Sequence, residues 1–153
     1  MNFLRKLLFP FSLLYGGITA IRNFLYNKGI LKSKKYDLPV ICVGNLSTGG
    51  TGKSPMIELL VSFLEHKQKV AVLSRGYKRK TSGYREVSIV NTVEEVGDEP
   101  LQFKKKFPEI TVAVCEDRRA GIEKLQSKAD VILLDDAFQH RKVKASLNIL
   151  LTS

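Results

Sequence analysis

The sequence has no tryptophan and only two cysteines among its 153 residues. Cys42 and Cys115 form no Cys-x-x-Cys pair and lie within apolar runs, so we expect both to be small core residues in a reducing compartment. With 44% apolar and 26% charged residues, the composition indicates a globular chain and argues against disorder. The length is that of one domain with a core of its own.

Acidic residues are absent from residues 1–36, which hold seven of the 25 lysines and arginines. The remaining 18 basic and 15 acidic residues leave the rest of the chain only mildly basic. A uniformly basic domain would have indicated nucleic acid, whereas this distribution indicates an N-terminal segment that meets an anionic surface. We therefore expect no nucleic-acid partner, and the sequence makes no prediction of oligomeric state.

The N-terminal segment also lacks an apolar run long enough to cross a bilayer. The 15 uncharged residues between Lys6 and Arg22 would span about 22 Å as a helix, against ~30 Å of hydrocarbon. Pro10 and the pair Gly16-Gly17 are expected to bend or weaken that helix. Apolar residues recur at helical spacing and predict an amphipathic helix in the membrane interface: Phe3, Leu7, Phe11, Leu14, Ile18, Ile21 and Leu25.

Two alternatives remain open for this segment. A signal peptide would share the basic start and short apolar region, although no good Ala-x-Ala cleavage site follows. The helix could instead pack on the core of its own domain or on a partner subunit.

Residues 44–55 follow the apolar run 38–43 and precede a helical pattern, which is the setting of a phosphate-binding P-loop. Glycines let backbone N–H groups converge on phosphate oxygens, a lysine reaches the β- and γ-phosphates, and a serine hydroxyl binds Mg²⁺. Ser47 stands where the strict pattern has glycine. A Gly/Ser/Thr turn at a helix start is the alternative. The predicted nucleotide-binding residues are Gly49, Gly50, Thr51, Gly52, Lys53 and Ser54.

The rest of the chain alternates between strand and helix patterns. Because strand, helix and strand in this order indicate parallel pairing, we predict a P-loop NTPase-like three-layer α/β/α fold over residues 37–153, preceded by the segment 1–36. Strands are predicted at 38–43, 69–73, 85–90, 110–115, 130–134 and 147–151, and helices at 55–66, from about 98 to 107 and from 117 to 127.

Charged residues follow several of these strands, where parallel sheets bind ligands. Asp135 and Asp136 end an apolar strand, as expected of the acidic pair that organises Mg²⁺ in a P-loop protein. Arg75 is a candidate phosphate or substrate contact. Asp98 could be no more than a helix N-cap.

Five ordered motifs across about residues 40–141 resemble the tetraacyldisaccharide 4'-kinases, the lipid A kinases of Gram-negative outer-membrane assembly. They are Gly44-Asn45 with residues 49–55, Ser74-Arg75-Gly76-Tyr77, residues 96–100, Asp117-Arg118 and residues 135–140. The irregular P-loop with Ser47 belongs to this resemblance.

The resemblance implies transfer of the ATP γ-phosphate to the 4'-hydroxyl of a tetraacylated disaccharide 1-phosphate, the lipid A precursor. It places the protein as a peripheral, monotopic component of the cytoplasmic face of the inner membrane. Asp98 and Lys53 match catalytic positions, with Asp98 as the proposed base. Ser54, Asp135 and Asp136 match the metal site, where Glu99 assists, and Arg75 and Arg118 are expected at phosphates.

Two departures from the family accompany the resemblance. Ala137 stands where many members have glycine, and the second half of about equal length, which completes the sugar cleft, is absent. We therefore expect nucleotide binding with little or no kinase activity from this chain alone, and exposed apolar surface at one sheet edge. The alternative is a non-catalytic, membrane-associated P-loop module.

Overall fold

The computed structural model describes residues 2–45 and 52–152, with side chains from Tyr15 onward within those ranges. It divides into two compact units, Met1–Ser33 and Lys34–Ser153. The boundary predicted from the sequence lies after residue 36. In the structure Lys34 already belongs to the second unit, since its backbone hydrogen-bonds to Lys142 and Lys144, and Tyr36 is buried.

The first unit is built on one helix, α1, from Asn2 to Asn27. The helix continues through Pro10 and the Gly16-Gly17 pair, so neither position ends it. Ile18, Ile21 and Phe24 are each more than half exposed on this unit. Among the described residues, no helix combines the length and apolarity that crossing a bilayer requires.

The second unit is centred on a six-stranded sheet in the order β3-β4-β2-β5-β1-β6. All neighbouring pairs are parallel except β3 with β4, as the predicted fold requires for most of its strands. The strands are β1 (Val40–Asn45), β2 (Val70–Ser74), β3 (Arg85–Glu86), β4 (Thr111–Val114), β5 (Val131–Asp135) and β6 (Leu147–Leu151).

Helices cover both faces of the sheet, which confirms the three-layer prediction. Ile57 and Val61 of α2 share a core with Phe103 of α4 on one face, while Ile122 and Leu125 of α5 pack on the other. The helices of this unit are α2 (Lys53–Leu64), α3 (Val93–Val96), α4 (Asp98–Lys106) and α5 (Arg118–Leu125).

The two central strands, β2 and β5, are buried along their whole length. Their side chains alternate between the two cores: Val131 and Leu133 enter the core beneath α2, whereas Ile132 and Leu134 enter the core beneath α5. A strand covered on both faces needs apolar residues at every position, which explains the continuous apolar run.

The structure corrects the sequence predictions between residues 85 and 96. The strand expected over 85–90 is only the two-residue β3, and the short helix α3 was not predicted. Thr92 and Glu95 form a capping box at the start of α3, a pattern that is visible in the sequence.

The outer strand β6 leaves apolar side chains at one edge of the sheet. Leu147 is 51% exposed and Leu150 is 38% exposed. Among the described residues, β6 is the edge strand next to β1. Apolar side chains are therefore exposed at one edge of the sheet, where the sequence predicts exposed apolar surface.

Burial of both cysteines predicts slow thiol chemistry in the native chain. Each thiol is 3% exposed, and burial raises the pKa of Cys42 to about 11. Labelling by a disulfide reagent at mildly alkaline pH should be about a thousand-fold slower than in concentrated guanidinium chloride, because it requires local opening of the core. A Ser82→Cys variant, cysteine at an exposed position, provides the fast-reacting control. Native labelling of Cys42 and Cys115 at the control's rate would contradict the packing.

Candidate active site

The carboxyl ends of β1 and β5 lie side by side and bring two sequence motifs together. In the parallel register, Val43 pairs with Asp135. Gly44, one residue further along β1, faces Phe138 so closely that an added Cβ would lie 2.6 Å from the Cβ of Phe138. The strand that leads into the predicted P-loop and the strand that carries the acidic pair therefore meet at one edge.

Lys53 opens α2 at this edge, next to Gly52, whose φ of 81° places it in the left-handed region. The Lys53 ammonium donates to Asn45 Oδ1 at 3.1 Å and lies 3.4 Å from Asp136 Oδ1. These contacts hold the charge between the ends of β1 and β5. The predicted binding residues Gly49, Gly50 and Thr51, with the irregular Ser47, lie outside the described residues.

Ser54 links this edge to α4, because its hydroxyl donates to Glu99 Oε1 at 2.9 Å. The two residues are 45 positions apart in sequence. Their contact brings a hydroxyl and a carboxylate together, both of which are oxygen donors that Mg²⁺ prefers.

Two glycines bring the start of α4 against the loop that follows β2. Gly76 (φ 71°) and Gly97 (φ 90°) touch through their backbones, since a Cβ on Gly97 would lie 3.2 Å from the Cα of Gly76 and 3.3 Å from Tyr77 O. A side chain at Gly97 would push the two segments apart, and one at Gly76 would meet Arg79 of its own loop and Val96 O. This contact positions Asp98, the residue that follows Gly97.

Asp98 is exposed and is the first residue of α4. Its predicted role as N-cap is wrong by one residue, because Gly97 occupies the cap position. The amide of Gln102 donates to Asp98 Oδ2 at 3.2 Å and orients the carboxylate. An exposed carboxylate on a helix start, held from one side, is free to meet a ligand from the other.

The two aspartates of the acidic pair occupy different environments. Asp135 is 2% exposed and accepts a hydrogen bond from Ser74 Oγ at 3.0 Å. Burial, and next the charge of Glu99, raises the pKa of Asp135 to about 6. Asp136 is exposed, with a left-handed φ of 50°. Because the positive φ falls on Asp136, Ala137 fits its position without glycine's freedom.

Arg118 is not at the surface where a phosphate contact was predicted. The residue is 1% exposed, and its guanidinium donates to the backbone carbonyls of Cys115 at 2.7 Å and Asp135 at 3.2 Å. Those bonds direct the side chain toward the ends of β4 and β5. The helix that carries it begins where the sequence predicts, and Asp117 caps it, since Asp117 Oδ1 accepts from Arg119 N.

Arg75 is exposed on the loop after β2 and borders an open crevice of about 270 Å³. Arg79 also borders it, but its side chain is 2% exposed and bonded to Glu116 and to Gly83 O. Arg75 therefore presents its charge to the crevice and to solvent, whereas the charge of Arg79 is neutralised within the fold.

The oxygen-rich donor set fits a hard divalent cation. Within residues 2–45 and 52–152 no group of three or more His, Cys, Asp and Glu side chains surrounds a single point. Mg²⁺ does not require such a cage, since it usually takes one or two carboxylates and completes its shell with water and phosphate oxygens. The candidate ligands are Ser54, Glu99, Asp135 and Asp136.

Sequence analysis gave no site role to Asn45, Ser74 or Gln102. The first two are the last residues of β1 and β2, positions that face ligands in parallel sheets, so strand ends were the available signal. Gln102 lies four residues after Asp98 on one helix face, and that spacing was its signal.

The fold and this edge define the chain as a P-loop-type α/β protein with a lysine, a serine and an acidic pair around the end of β1. The chain belongs to the family of tetraacyldisaccharide-1-P 4'-kinases, LpxK, whose model matches residues 4–153.

Named relatives and one solved structure agree with this membership. The chain is 60% identical to the tetraacyldisaccharide 4'-kinase of Flavobacterium psychrophilum, covering 100% of this chain and 46% of the relative. Identity to the Parabacteroides distasonis enzyme is 54%, over 96% of this chain and 41% of the relative. A crystal structure of LpxK from Aquifex aeolicus in complex with ATP aligns with a TM-score of 0.86 at 47% identity, covering 96% of this chain and 48% of that one. The chain thus spans about half the length of these relatives.

Burial of Asp135 predicts that its removal stabilises the fold at neutral pH. The folded pKa of about 6 lies above the ordinary value near 4, so the native state loses stability as pH rises through 6. In the absence of divalent cations, Asp135→Asn should raise the free energy of unfolding by about 3 kcal/mol at pH 7.5, with the gain vanishing near pH 4. Denaturant unfolding at both pH values measures it. A destabilised variant at pH 7.5 would contradict this account.

Proposed function

We propose that this chain carries the ATP and Mg²⁺ site of a kinase that phosphorylates the 4'-hydroxyl of tetraacyldisaccharide 1-phosphate in lipid A biosynthesis. The observation that carries the proposal is the convergence of Lys53, Ser54, Glu99 and the pair Asp135-Asp136 at the carboxyl edge of the sheet, in a chain of this family. The complete activity is proposed for a polypeptide of the relatives' length.

The phosphoryl donor is ATP, in agreement with the ATP complex of the Aquifex aeolicus relative. Lys53 neutralises charge on the β- and γ-phosphates, and its bonds to Asn45 and Asp136 set the direction from which it reaches them. Ser54, Glu99, Asp135 and Asp136 would hold Mg²⁺, which supplies further neutralisation of phosphate charge. Arg75 faces the same edge from the loop after β2.

The phosphoryl acceptor is the 4'-hydroxyl of the lipid A disaccharide precursor. That hydroxyl must lose its proton as the phosphorus–oxygen bond forms, and Asp98 is the proposed acceptor of the proton. Its carboxylate is exposed, held by Gln102 and next to Glu99, so acceptor and metal side chains share one helix start. The Gly76–Gly97 contact fixes that start against the loop of Arg75.

A lipid acceptor requires access to a membrane, and we propose peripheral, monotopic binding at the cytoplasmic face of the inner membrane. The first unit has the required chemistry: α1 exposes Ile18, Ile21 and Phe24, and residues 1–33 carry five basic and no acidic side chains. Apolar burial and attraction to anionic headgroups would act together.

Replacing Asp98 tests the proposed reaction. In a polypeptide of the relatives' length that carries this chain, Asp98→Asn should lower 4'-phosphorylation by about 10²–10⁴-fold, because the proton acceptor is lost, while ATP affinity stays within about twofold. A radiolabelled transfer assay and calorimetric ATP titration measure the two quantities.

Asp37→Asn is the matched control, since Asp37 is exposed just before β1, at the opposite end of that strand. Unchanged phosphorylation in Asp98→Asn would rule out Asp98 as the proposed base. ATP binding without any phosphorylation in the unsubstituted polypeptide would instead favour a non-catalytic nucleotide-binding module.

Vesicle flotation tests the membrane proposal. The chain should float with vesicles containing phosphatidylglycerol at physiological salt, and bind pure phosphatidylcholine at least about tenfold less. Replacing Ile18 and Ile21 by serine should weaken flotation by about tenfold or more, because exposed apolar area is removed. The control replaces Ile89 and Val90, which are exposed on the second unit. Retention on DNA without flotation would refute the proposal.

A further inference from the structure

Ser74 is a polar residue at a place where the fold needs none. It is the last residue of β2, is 4% exposed and lies between the ends of β4 and β5. Its backbone carbonyl accepts from Cys115 N at 3.0 Å, so the sheet is complete without its side chain. The hydroxyl instead donates a hydrogen bond to Asp135 Oδ2 at 3.0 Å.

Arg118 ties the same strand ends from inside the protein. Nη1 donates to the carbonyl of Cys115, after β4, and Nη2 to the carbonyl of Asp135, the last residue of β5. Since β2 lies between β4 and β5 in the sheet, the guanidinium bridges two strands that are not neighbours. Its Nε is buried without a hydrogen-bond partner in the structure.

The Ser74 hydroxyl, the Arg118 guanidinium and the Asp135 carboxylate all cost free energy to bury, and the first two fix the third. A buried charge costs free energy unless it is paired and hydrogen-bonded. Apolar side chains of similar size at positions 74, 118 and 135 would therefore stabilise the sheet at least as well. The Ser74 hydroxyl occupies one oxygen of Asp135, and Arg118 fixes the backbone that carries it. Both constraints restrict the direction of the other carboxylate oxygen.

We propose that Ser74 and Arg118 are positioning residues that hold Asp135 in the orientation in which it binds the divalent cation of a bound nucleotide. This inference rests on the proposed function, because it presupposes that ATP binds with Mg²⁺. Neither residue contacts the nucleotide. Their effect on binding passes through the carboxylate of Asp135.

The test compares ATP affinity of the whole 153-residue chain in Mg²⁺ with that in EDTA. Ser74→Ala should lower the Mg²⁺-dependent gain in affinity by about tenfold and leave affinity in EDTA unchanged, since a hydrogen bond to a charged group is lost. Ser62→Ala is the matched control, because the Ser62 hydroxyl is exposed and bonds its own helix at Glu58 O. The control should keep the full gain.

A double variant separates positioning from packing. If Ser74 acts through Asp135, then Ser74→Ala should change nothing further in an Asp135→Asn background, whereas independent effects would add. Thermal unfolding of each variant confirms that the chain is folded at the temperature of the titration.

Arg118→Lys separates positioning from direct phosphate binding. Lysine keeps the positive charge but cannot donate to two carbonyls in the guanidinium's fixed geometry, so the Mg²⁺-dependent gain should fall while affinity in EDTA holds. A loss of affinity in EDTA as well would show that Arg118 meets the phosphates and would overturn its positioning role.

The remaining outcomes are distinct. A full Mg²⁺-dependent gain in Ser74→Ala, with tight ATP binding, would overturn this inference and leave the proposed function standing. ATP binding that does not respond to Mg²⁺ in the unsubstituted chain would overturn the proposed metal site and this inference with it.

Discussion

The parallel register of β1 with β5 is the constraint on which the rest of the site depends. Pairing Val43 with Asp135 places the entry to the P-loop beside the acidic pair. The ion pair between Lys53 and Asp136 then connects the start of α2 to the end of β5. A slip of one residue would turn every side chain of one strand to the opposite face. The buried alternation of β5 between two apolar cores therefore protects the register and, through it, the site.

The acidic pair shows how one turn provides two different carboxylates. Asp135 is enclosed, bonded to Ser74 and costly to ionise, whereas Asp136 reaches solvent and pairs with Lys53. The strand ends between them: Asp135 is the last residue of β5, and Asp136 follows with a left-handed φ of 50°. Burial of the Asp135 carboxylate lowers the stability of the fold, and the Ser74 hydrogen bond fixes the direction of that carboxylate. Such a trade-off between stability and activity is common at functional sites.

The sequence was sufficient where chemistry and periodicity agreed. Apolar runs followed by glycine-containing loops or by aspartates predicted β1, β2 and β5, and ligand-binding residues were expected at their carboxyl ends. The roles of Ser74 and Gln102 were not predicted, because they depend on partners that only the folded chain brings near. The environment of Arg118 could not be predicted for a related reason: an arginine after a strand is typical of phosphate sites, and only the folded chain shows that it is buried and bonds two carbonyls.

The touching glycines after β2 and before α4 have a mechanical consequence. With no side chain between Gly76 and Gly97, the two segments pack backbone against backbone. Close-packed interiors transmit displacement, so a shift of the loop of Arg75 would move the start of α4 with it. The groups proposed for the donor phosphate and for the acceptor hydroxyl are thus mechanically coupled through one contact between glycines.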